Sequence, residues 1–503
     1  MLWSFIDNFV PAKTHISFYL MNIIHDHRPP SLLASLLPIA VLIAGLISII
    51  TFYGAGAVQD MSHYILLTAA AIAASISVFY YRRPLRAMRT GLLKSAIQVL
   101  PTIPILLMIA TVAATWMLSG VVPTLICYGL EILNPSAFLV TTCAVCAIIS
   151  VLSGSSWTTI ATIGVAFMGI GSVWGYNPAW IAGAIISGAY FGDKVSPLSD
   201  TTVLASSTCD VGLFTHIRYL MWTSLPAMLL AMTVFAIAGM MSDHGSATQS
   251  SLMLTHLHET FNITPWCMII PLATIGLILL RLNTAVTLGL GSLLGIAGIV
   301  LWQPHILASL SGTGSIYDMA IAVVRLLVTE TSLSTGDPAL DALVTTGGMK
   351  GMLPTIYLIL SAMIFGGVLM GSGMLSRITH SITKRINSSR TTVTTTVATG
   401  LMLNGCTGDQ YLSIILNGNL YRNLYRRNGL EPRLLSRSIE DSTSVTSVLI
   451  PWNSCGLTQS AVLGVATLTY LPYCIFNIAS PLVSIATAWI GFRIRRVMKQ
   501  AVA

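Results

Sequence analysis

Residues 188–207 read GAYFGDKVSPLSDTTVLASS, and this stretch decides how the rest of the chain is interpreted. It lies between long apolar segments, yet it contains Asp193, Lys194 and Asp200. Ionisable groups at membrane depth are costly unless they are paired, hydrated or bound to an ion. Pro197 interrupts the hydrogen bonds of a helix, and the freed carbonyl groups need other partners. The pattern therefore predicts a broken helix that lines a polar cavity.

The composition of the 503-residue chain places this stretch in a membrane protein. Hydrophobic residues make up 54% of the chain and charged residues only 8%, with a mean hydropathy of +0.80. These values lie outside the range of soluble globular proteins. The net charge of +8 does not indicate a nucleic-acid partner, because Lys and Arg cluster in short loops between apolar runs, as on the cytoplasmic side of membrane proteins. We therefore expect an all-α polytopic membrane protein with about 11 to 13 transmembrane segments, several of them broken or re-entrant.

Short motifs in the first half of the sequence recur in the second half. The tetrapeptide Leu-Pro-Thr-Ile at 100–103 recurs at 353–356, and Ser-Gly at 119–120 recurs at 372–373, each 253 residues later. Two features at a single offset indicate an internal repeat.

The polar breaks of the two halves pair at a similar offset. The break that begins at Ser153 is predicted to correspond to the one that begins at Asn404, and Ser196 to Ser447, each 251 residues later. Basic residues precede the leading apolar run of the first copy but follow the corresponding run of the second. The repeats are therefore predicted to be inverted, the architecture of secondary transporters whose broken helices meet near the membrane midplane.

This reading divides the chain into five parts, with both termini in the cytoplasm because the flanking loops are basic. The parts are an N-terminal cytoplasmic or interfacial segment (1–30), a first inverted repeat (31–241), an external loop (242–264), a second inverted repeat (265–492) and a basic cytoplasmic tail (493–503).

Acidic residues are concentrated in and beside the polar breaks. A hard cation such as Na+ binds several oxygen ligands, which carboxylate, hydroxyl, amide and freed carbonyl groups supply together. Burial disfavours the charged form of a carboxylate, so a proton and Na+ can compete for one group. We therefore predict that ions or protons are bound by Asp193, Asp200, Asp409, Asp441, Ser153, Ser156, Thr158, Ser196, Thr201, Thr407 and Asn453.

Several charged residues also have a structural interpretation. Asp193 could pair with Lys194 or cap a half-helix, and Asp200 could be an N-cap. Lys194 and Glu440 are assigned to ion pairs, with Lys194 as the alternative partner of a carboxylate on a substrate. Direct contact with Na+ is assigned to three carboxylates, those of Asp193, Asp409 and Asp441.

Four motifs of the chain resemble those of the NhaC family of sodium/proton antiporters, within the wider ion-transporter superfamily. One departure is Val448, where the family tends to have Pro. The resemblance covers roughly residues 90–460. The motifs lie at 153–159, 192–202, 408–413 and 440–453.

The resemblance implies a multi-pass protein of the bacterial inner membrane that exchanges Na+ for H+. Relatives include malate/lactate exchangers and amino-acid carriers, so a Na+- or H+-coupled carrier of a small organic solute is the alternative. A channel is disfavoured by the inverted repeat. Enzyme activity is not expected, because no His lies near the breaks to activate Ser153 or Ser156.

No cofactor is expected, since Na+ and H+ are the transported species. The expected partners are the lipid bilayer, Na+ and H+. A small organic solute and a second copy of the chain, in a homodimer, are further candidates, and nucleic acid is not expected.

Overall fold

The computed structural model describes residues 29–494 apart from 55, 243–246, 281, 313–314, 334–340, 342–343, 384–385 and 387. The predicted N-terminal segment and nearly all of the basic tail therefore lie outside the described residues. Within the described ranges, the regular structure is helical except for an isolated β-bridge between Thr331 and Thr346. The predicted all-α class is confirmed.

The helices of the first half are numbered in chain order. They are α1 Leu32–Tyr53, α2 Ala57–Ser75, α3 Leu85–Val99, α4 Thr102–Leu118, α5 Val121–Ile132, α6 Phe138–Ser153, α7 Ser156–Val173, α8 Pro178–Val195, α9 Asp200–Thr208 and α10 Leu213–Met241.

The helices of the second half follow the same numbering, and four-residue helical turns are left unnumbered. They are α11 Ala247–Thr260, α12 Ile269–Leu279, α13 Thr284–Trp302, α14 Pro304–Ser311, α15 Ile316–Val328, α16 Leu353–Gly371, α17 Met374–Thr383, α18 Ser389–Thr407, α19 Gln410–Arg427, α20 Pro432–Ile439, α21 Ser454–Leu463 and α22 Ile475–Ile490.

In the described part of the chain, eight helical stretches are long and apolar enough to cross a membrane, or ten if each of two bent pairs forms one span. The chain is therefore polytopic, as predicted. The more polar helices around the site, such as α8 and α18, are not recognised by composition alone.

Residues 247–260 form α11, where the sequence predicted only an external loop at 242–264. Leu257 and Phe261 are buried in the main hydrophobic core, and Leu254 packs against it. Because these residues recur at helical spacing, they give α11 an apolar face.

Two helical hairpins carry the polar tips that the sequence indicated. In the first, α6 and α7 are antiparallel, since the Phe138 ring at the start of α6 lies 5.2 Å from that of Trp174 just after α7. In the second, α18 and α19 are antiparallel, since the hydroxyl groups of Thr399 and Tyr421 are 2.7 Å apart. Each hairpin therefore enters the protein, turns at its tip and returns to the same end.

Both tips turn at a glycine in the left-handed region. Gly154 has φ 67° and Gly408 has φ 67°, a conformation that strains other residues. The next residue caps the returning helix in each case: Ser155 accepts from the Thr158 N–H group, and Asp409 accepts from the Leu412 N–H group. The two tips are therefore built alike.

These special backbone positions fix the alignment of the two repeats. Gly154 and Gly408 are separated by 254 residues, and so are the left-handed pairs Gly175 and Gly429, and Asp210 and Gly464. The capping residues keep this spacing, with Ser155 matching Asp409 and Ser199 matching Asn453. The predicted offset of 251 is therefore wrong by three residues, because it aligned serine-rich segments rather than backbone turns.

The two repeats run in opposite directions. By the offset of 254, the last long helix of the first repeat, α10, corresponds to α22. The beginning of α10 lies beside the end of α22: the Tyr219 hydroxyl donates to the Arg493 carbonyl, and the Trp222 and Phe492 rings lie 5.8 Å apart. Equivalent helices are thus antiparallel, and the two hairpins enter from opposite ends of the molecule.

Candidate functional site

A cavity of about 840 Å³ lies beside the tip of the first hairpin. Its walls come from this tip, the break between α8 and α9, the start of α19 and the first turns of α4 and α13. Asp200 and Asn283 are exposed and mark its mouth. The described residues that line it include no Lys or Arg. Its predicted site residues are Ser153, Thr158, Asp193, Asp200 and Thr201.

Asp193, on the last turn of α8, caps a different helix. Its Oδ2 atom accepts hydrogen bonds from the Ser156 hydroxyl at 2.7 Å and from the Ser156 N–H group at 3.2 Å. The N–H groups of the first turn of a helix have no partner within it and attract negative charge. Asp193 therefore joins the broken helix to the hairpin tip, and it also lines the cavity.

Lys194, the next residue, points to a buried ion pair instead of the cavity mouth. Its Nζ atom lies 2.5 Å from Oδ1 of Asp441 and 2.8 Å from the Ser480 hydroxyl. Asp441 also accepts from the Thr223 hydroxyl at 2.9 Å, and Nε of Arg437 lies 3.7 Å from its Oδ2. Lys194, Asp441 and Arg437 are all fully buried. The carboxylate of Asp441 thus faces two cations of the protein itself.

The sequence predicted that Asp441 contacts the ion, but in the structure it is the neighbouring acid, Glu440, that lies beside a cavity. Glu440 is fully buried and forms no ion pair among the described residues, and its hydrogen-bonding neighbours are the hydroxyl groups of Ser444 and Thr201. A π turn at Glu440–Ser444 continues α20, and such turns are frequent at functional sites. Consecutive residues of a helix point in different directions, so Asp441 faces Lys194 while Glu440 faces a small cavity.

This small cavity adjoins the large one. Its volume is about 10 Å³, roughly the space that one water molecule needs. Asp193, Thr201 and Gln410 line both cavities, whereas Glu440 and Ser444 line only the small one. Tyr190, Lys194 and Val445 also line the small cavity, so two carboxylates, three hydroxyl groups, an amide and the Lys194 side chain surround one small space next to the large cavity.

Other predicted site residues hold the breaks in shape and do not line either cavity. Asp409 accepts from the Leu412 N–H group at 2.8 Å and from the Ser454 hydroxyl at 3.4 Å. Thr407 lies 2.7 Å from the Ser413 hydroxyl within the second tip. Asp409 and Asp441 are not among the residues that line either cavity, and their predicted contact with Na+ stays a prediction.

Ser196 and Asn453 are likewise structural in this arrangement. The Ser196 hydroxyl donates to the Val151 carbonyl at 2.7 Å, tying the break after α8 to α6. Asn453 caps α21 by accepting from the Cys455 N–H group at 3.1 Å, and its amide donates to the Asn404 carbonyl.

The two tips differ in how tightly they are closed. In the second half, the Ser454 N–H group donates to the Gly408 carbonyl at 2.8 Å, and both Asp409 and Ser454 are buried. The equivalent of Ser454 in the first half is Asp200, which is exposed. No backbone hydrogen bond joins Asp200 to Gly154 among the described residues. The large cavity therefore opens beside the first tip, at the exposed Asp200, whereas the equivalent position beside the second tip is buried.

The sequence was compared with those of known proteins. The sequence model of the Na+/H+ antiporter family matches residues 30–210 and 188–492. The chain is 36% identical to the Na(+)/H(+) antiporter NhaC of Alkalihalophilus pseudofirmus, over 77% of this chain and 81% of that protein. This chain belongs to the Na+/H+ antiporter family. The resemblance to the NhaC family is thereby confirmed.

Two relatives from Bacillus subtilis show the range of this antiporter family. The chain is 32% identical to a protein named Na(+)/H(+) antiporter NhaC, over 85% of this chain and 92% of that protein. It is 35% identical to a protein named malate-2H(+)/Na(+)-lactate antiporter, over 74% of this chain and 78% of that protein.

Sequence reasoning missed several residues of the site in this antiporter-family chain. Gln410 stands in a recognised motif, directly after Asp409, and its position beside a tip could have identified it. Arg437 precedes Asp441 by four residues, the spacing of an ion pair on a helix. Thr223 and Ser480 come from distant helices and gave no signal of their own.

Proposed function

We propose that this chain is a secondary active transporter that exchanges Na+ for H+ across the bacterial inner membrane, at the small cavity between Asp193 and Glu440. The observation that carries the proposal is Glu440, a fully buried carboxylate that forms no ion pair among the described residues. Such a group is costly unless a cation or a proton neutralises it. Ligands of the required type surround it, since Na+ prefers carboxylate, hydroxyl and amide oxygens. They come from Asp193, Glu440, Thr201, Ser444 and Gln410, and Lys194, which also lines this cavity, is paired with Asp441.

The charges of the buried cluster support competition between the two ions. With His216 taken as neutral, the carboxylates of Asp193, Glu440 and Asp441 face the cations Lys194 and Arg437. Asp200 and the buried Asp409 lie nearby and form no ion pair among the described residues, so carboxylates outnumber cations in this region. Na+ or a proton offsets the excess negative charge, so the loaded site can move while the empty site is costly to move through a low-dielectric interior.

The open cavity faces the cytoplasm in this proposal. Its mouth lies toward the end of the molecule at which Asp210, after α9, forms an ion pair with Arg422 of α19. Arg426 and Arg427 follow on the same helix. Basic loops of this kind remain on the cytoplasmic side. Both termini are cytoplasmic in the same orientation.

In this mechanism, transport requires the second tip to open while the first tip closes. The contacts that close the second tip, Gly408 with Ser454 and Asp409 with Ser454, break when the site opens outward. The equivalent positions of the first half, Gly154 and Asp200, approach each other at the same time. The inverted repeat allows this exchange because the same backbone turns are present in both halves.

Export of a small organic solute is the second candidate. The open cavity is larger than one cation requires, and a relative from Halobacterium salinarum, 30% identical, is named arginine/ornithine antiporter ArcD. Because Asp193 and Asp200 line this cavity, a cationic solute fits it better than an anion. Lys194, the predicted partner of a substrate carboxylate, is instead occupied by Asp441.

Proton movement in proteoliposomes that hold a pH gradient tests the proposal. We expect added NaCl, but not KCl, to dissipate the gradient through the wild type and not through Glu440→Gln. The matched control is Asp210→Asn, since Asp210 is an exposed acid in a surface ion pair and Asn tolerates its φ of 56°.

Retention of wild-type exchange by Glu440→Gln would overturn the assignment of the site. If added Na+ leaves the pH gradient of wild-type proteoliposomes unchanged while added arginine or ornithine dissipates it, simple Na+/H+ exchange is excluded and the second candidate is supported.

A further inference from the structure

A second cavity, of about 360 Å³, lies away from the ion site at the start of α10 and the end of α22. It is lined by Phe214, Thr215, Arg218, Tyr219, Trp222, Arg433 and Arg493. Three guanidinium groups and three aromatic rings thus surround one space. No step of the proposed exchange uses these residues.

The charge of this cavity is unbalanced. Arg433 forms an ion pair with Glu431. Among the described residues, no carboxylate pairs with Arg218 or Arg493, and both are exposed. The buried cation Arg437 lies behind the cavity, with its guanidinium 4.9 Å from the Tyr219 ring. A concave site with excess guanidinium groups is suited to a phosphate, which they bind in a bidentate manner.

The backbone holds Arg493 over this cavity. After α22 ends, Gly491 and Arg493 both adopt the left-handed conformation, with φ 82° and φ 54°. The guanidinium of Arg493 lies 4.4 Å from the centroid of the Trp222 ring. A left-handed non-glycine residue has a conformational cost, so other contacts must fix it. The hydrogen bond from Tyr219 to the Arg493 carbonyl is one such contact.

An exposed apolar surface continues from the cavity along α10. Trp222, Leu225 and Leu229 recur at helical spacing and are 42%, 45% and 60% exposed. Phe214 and Phe492 are exposed beside the guanidinium groups. A free phosphate would use only the arginines, whereas a phospholipid would use both surfaces, with its headgroup at the arginines and an acyl chain along α10.

We propose that this cavity binds the phosphate of an anionic membrane phospholipid. Basic pockets between helices at the cytoplasmic surface are suited to such headgroups. The three arginines contact the phosphate, Trp222 lies at the level of the headgroup, and the exposed face of α10 carries the acyl chain. The site is separate from the ion site and does not depend on the proposed transport.

Native mass spectrometry of the purified full chain, titrated with phosphatidylglycerol, tests this proposal. We expect Arg218→Gln/Arg493→Gln to weaken binding of this lipid by at least about tenfold relative to the wild type. The matched control is Arg86→Gln/Arg89→Gln, which removes two exposed arginines within α3 and should bind as the wild type does. Arg218→Gln alone disrupts no ion pair and should show an intermediate loss.

Two further binding measurements identify the ligand. Phosphatidylcholine should bind at least about tenfold more weakly than phosphatidylglycerol, because its headgroup carries no net charge. Inorganic phosphate should not displace the bound lipid, because it cannot use the apolar face of α10. Equal loss in both double variants would overturn the site, and so would wild-type binding by Arg218→Gln/Arg493→Gln. Displacement by inorganic phosphate would show a site for free anions and overturn the assignment to lipid.

Discussion

Two adjacent acids, Glu440 and Asp441, should respond oppositely to the same substitution. Glu440→Gln and Asp441→Asn each replace a buried carboxylate by an amide of the same shape. Glu440 has no ion pair to lose among the described residues, and an amide can still bond the neighbouring hydroxyl groups of Ser444 and Thr201. Asp441 is the partner of Lys194 at 2.5 Å and also accepts from Thr223. We therefore expect Asp441→Asn to impair folding and Glu440→Gln to impair only ion binding.

The size of the difference follows from the burial of Lys194. Removing one partner of a buried ion pair leaves an uncompensated charge and costs about 3–5 kcal/mol. At roughly 1 °C per kcal/mol for a chain of this length, Asp441→Asn should lower the apparent unfolding temperature by about 3–5 °C. Glu440→Gln removes an unpaired buried charge, so its unfolding temperature should equal or exceed that of the wild type.

Sodium adds a second measurement to the same pair of variants. A ligand that binds only the folded state at ten times its Kd stabilises that state by about 1.4 kcal/mol. Thermal unfolding in detergent should therefore show a rise of about 1.5 °C for the wild type in NaCl relative to KCl at equal ionic strength. Glu440→Gln should show no rise. If Glu440→Gln loses as much stability as Asp441→Asn, or keeps the response to Na+, the assignment of the two acids is wrong.

Three further results are expected. Asp193→Asn should abolish Na+-driven proton movement in proteoliposomes, whereas Ser156→Ala, which removes one of two bonds to Asp193, should lower stability by about 1 kcal/mol and leave exchange measurable. In inside-out vesicles, Asp200→Cys should react with a membrane-impermeant thiol reagent, and the equivalent variant Ser454→Cys should not. This comparison has a low background because all eight native cysteines are buried; equal labelling of both would contradict the one-sided opening. Finally, the Na+ concentration for half-maximal exchange should fall as pH rises, approaching about tenfold per pH unit, because fewer protons compete for the site. A value independent of pH would exclude competition.

The helical fold could be predicted from the sequence, because a membrane permits few backbone conformations. A polar, proline-containing segment such as 188–207 between apolar runs must line a cavity, since lipid cannot satisfy its backbone. The structure confirms this for the break after α8. The alignment of the repeats was less accurate, because similar serine-rich segments carried more weight than Gly154 and Gly408. These glycines and the caps that follow them are constrained by φ and by hydrogen bonds, which makes them the better markers.

The chemistry of the site was only partly accessible. Asp193 and Thr201 line the cavities as expected, but the sequence assigned Asp441 to the ion and Glu440 to an ion pair, whereas the structure places Asp441 in the ion pair and Glu440 at the small cavity. Which of two adjacent acids faces the cavity depends on the π turn that begins at Glu440, and local sequence does not specify such a turn. The ion pair of Asp441 could not be predicted either, because its partner Lys194 lies in the other half of the chain.

The repeats share a backbone but not their acids, and this difference bears on how exchange would be coupled to movement. At the offset of 254, Asp193 corresponds to Ser447, and Glu440 to Ile186. Each half therefore supplies one carboxylate to the small cavity, at positions that are not equivalent. An ion held between Asp193 and Glu440 bridges the two repeats, so any movement of one repeat against the other changes its coordination. Opening the second tip at Ser454 and weakening the bound ion would then be parts of one motion, which is what an exchanger needs to release Na+ only on the side that has opened.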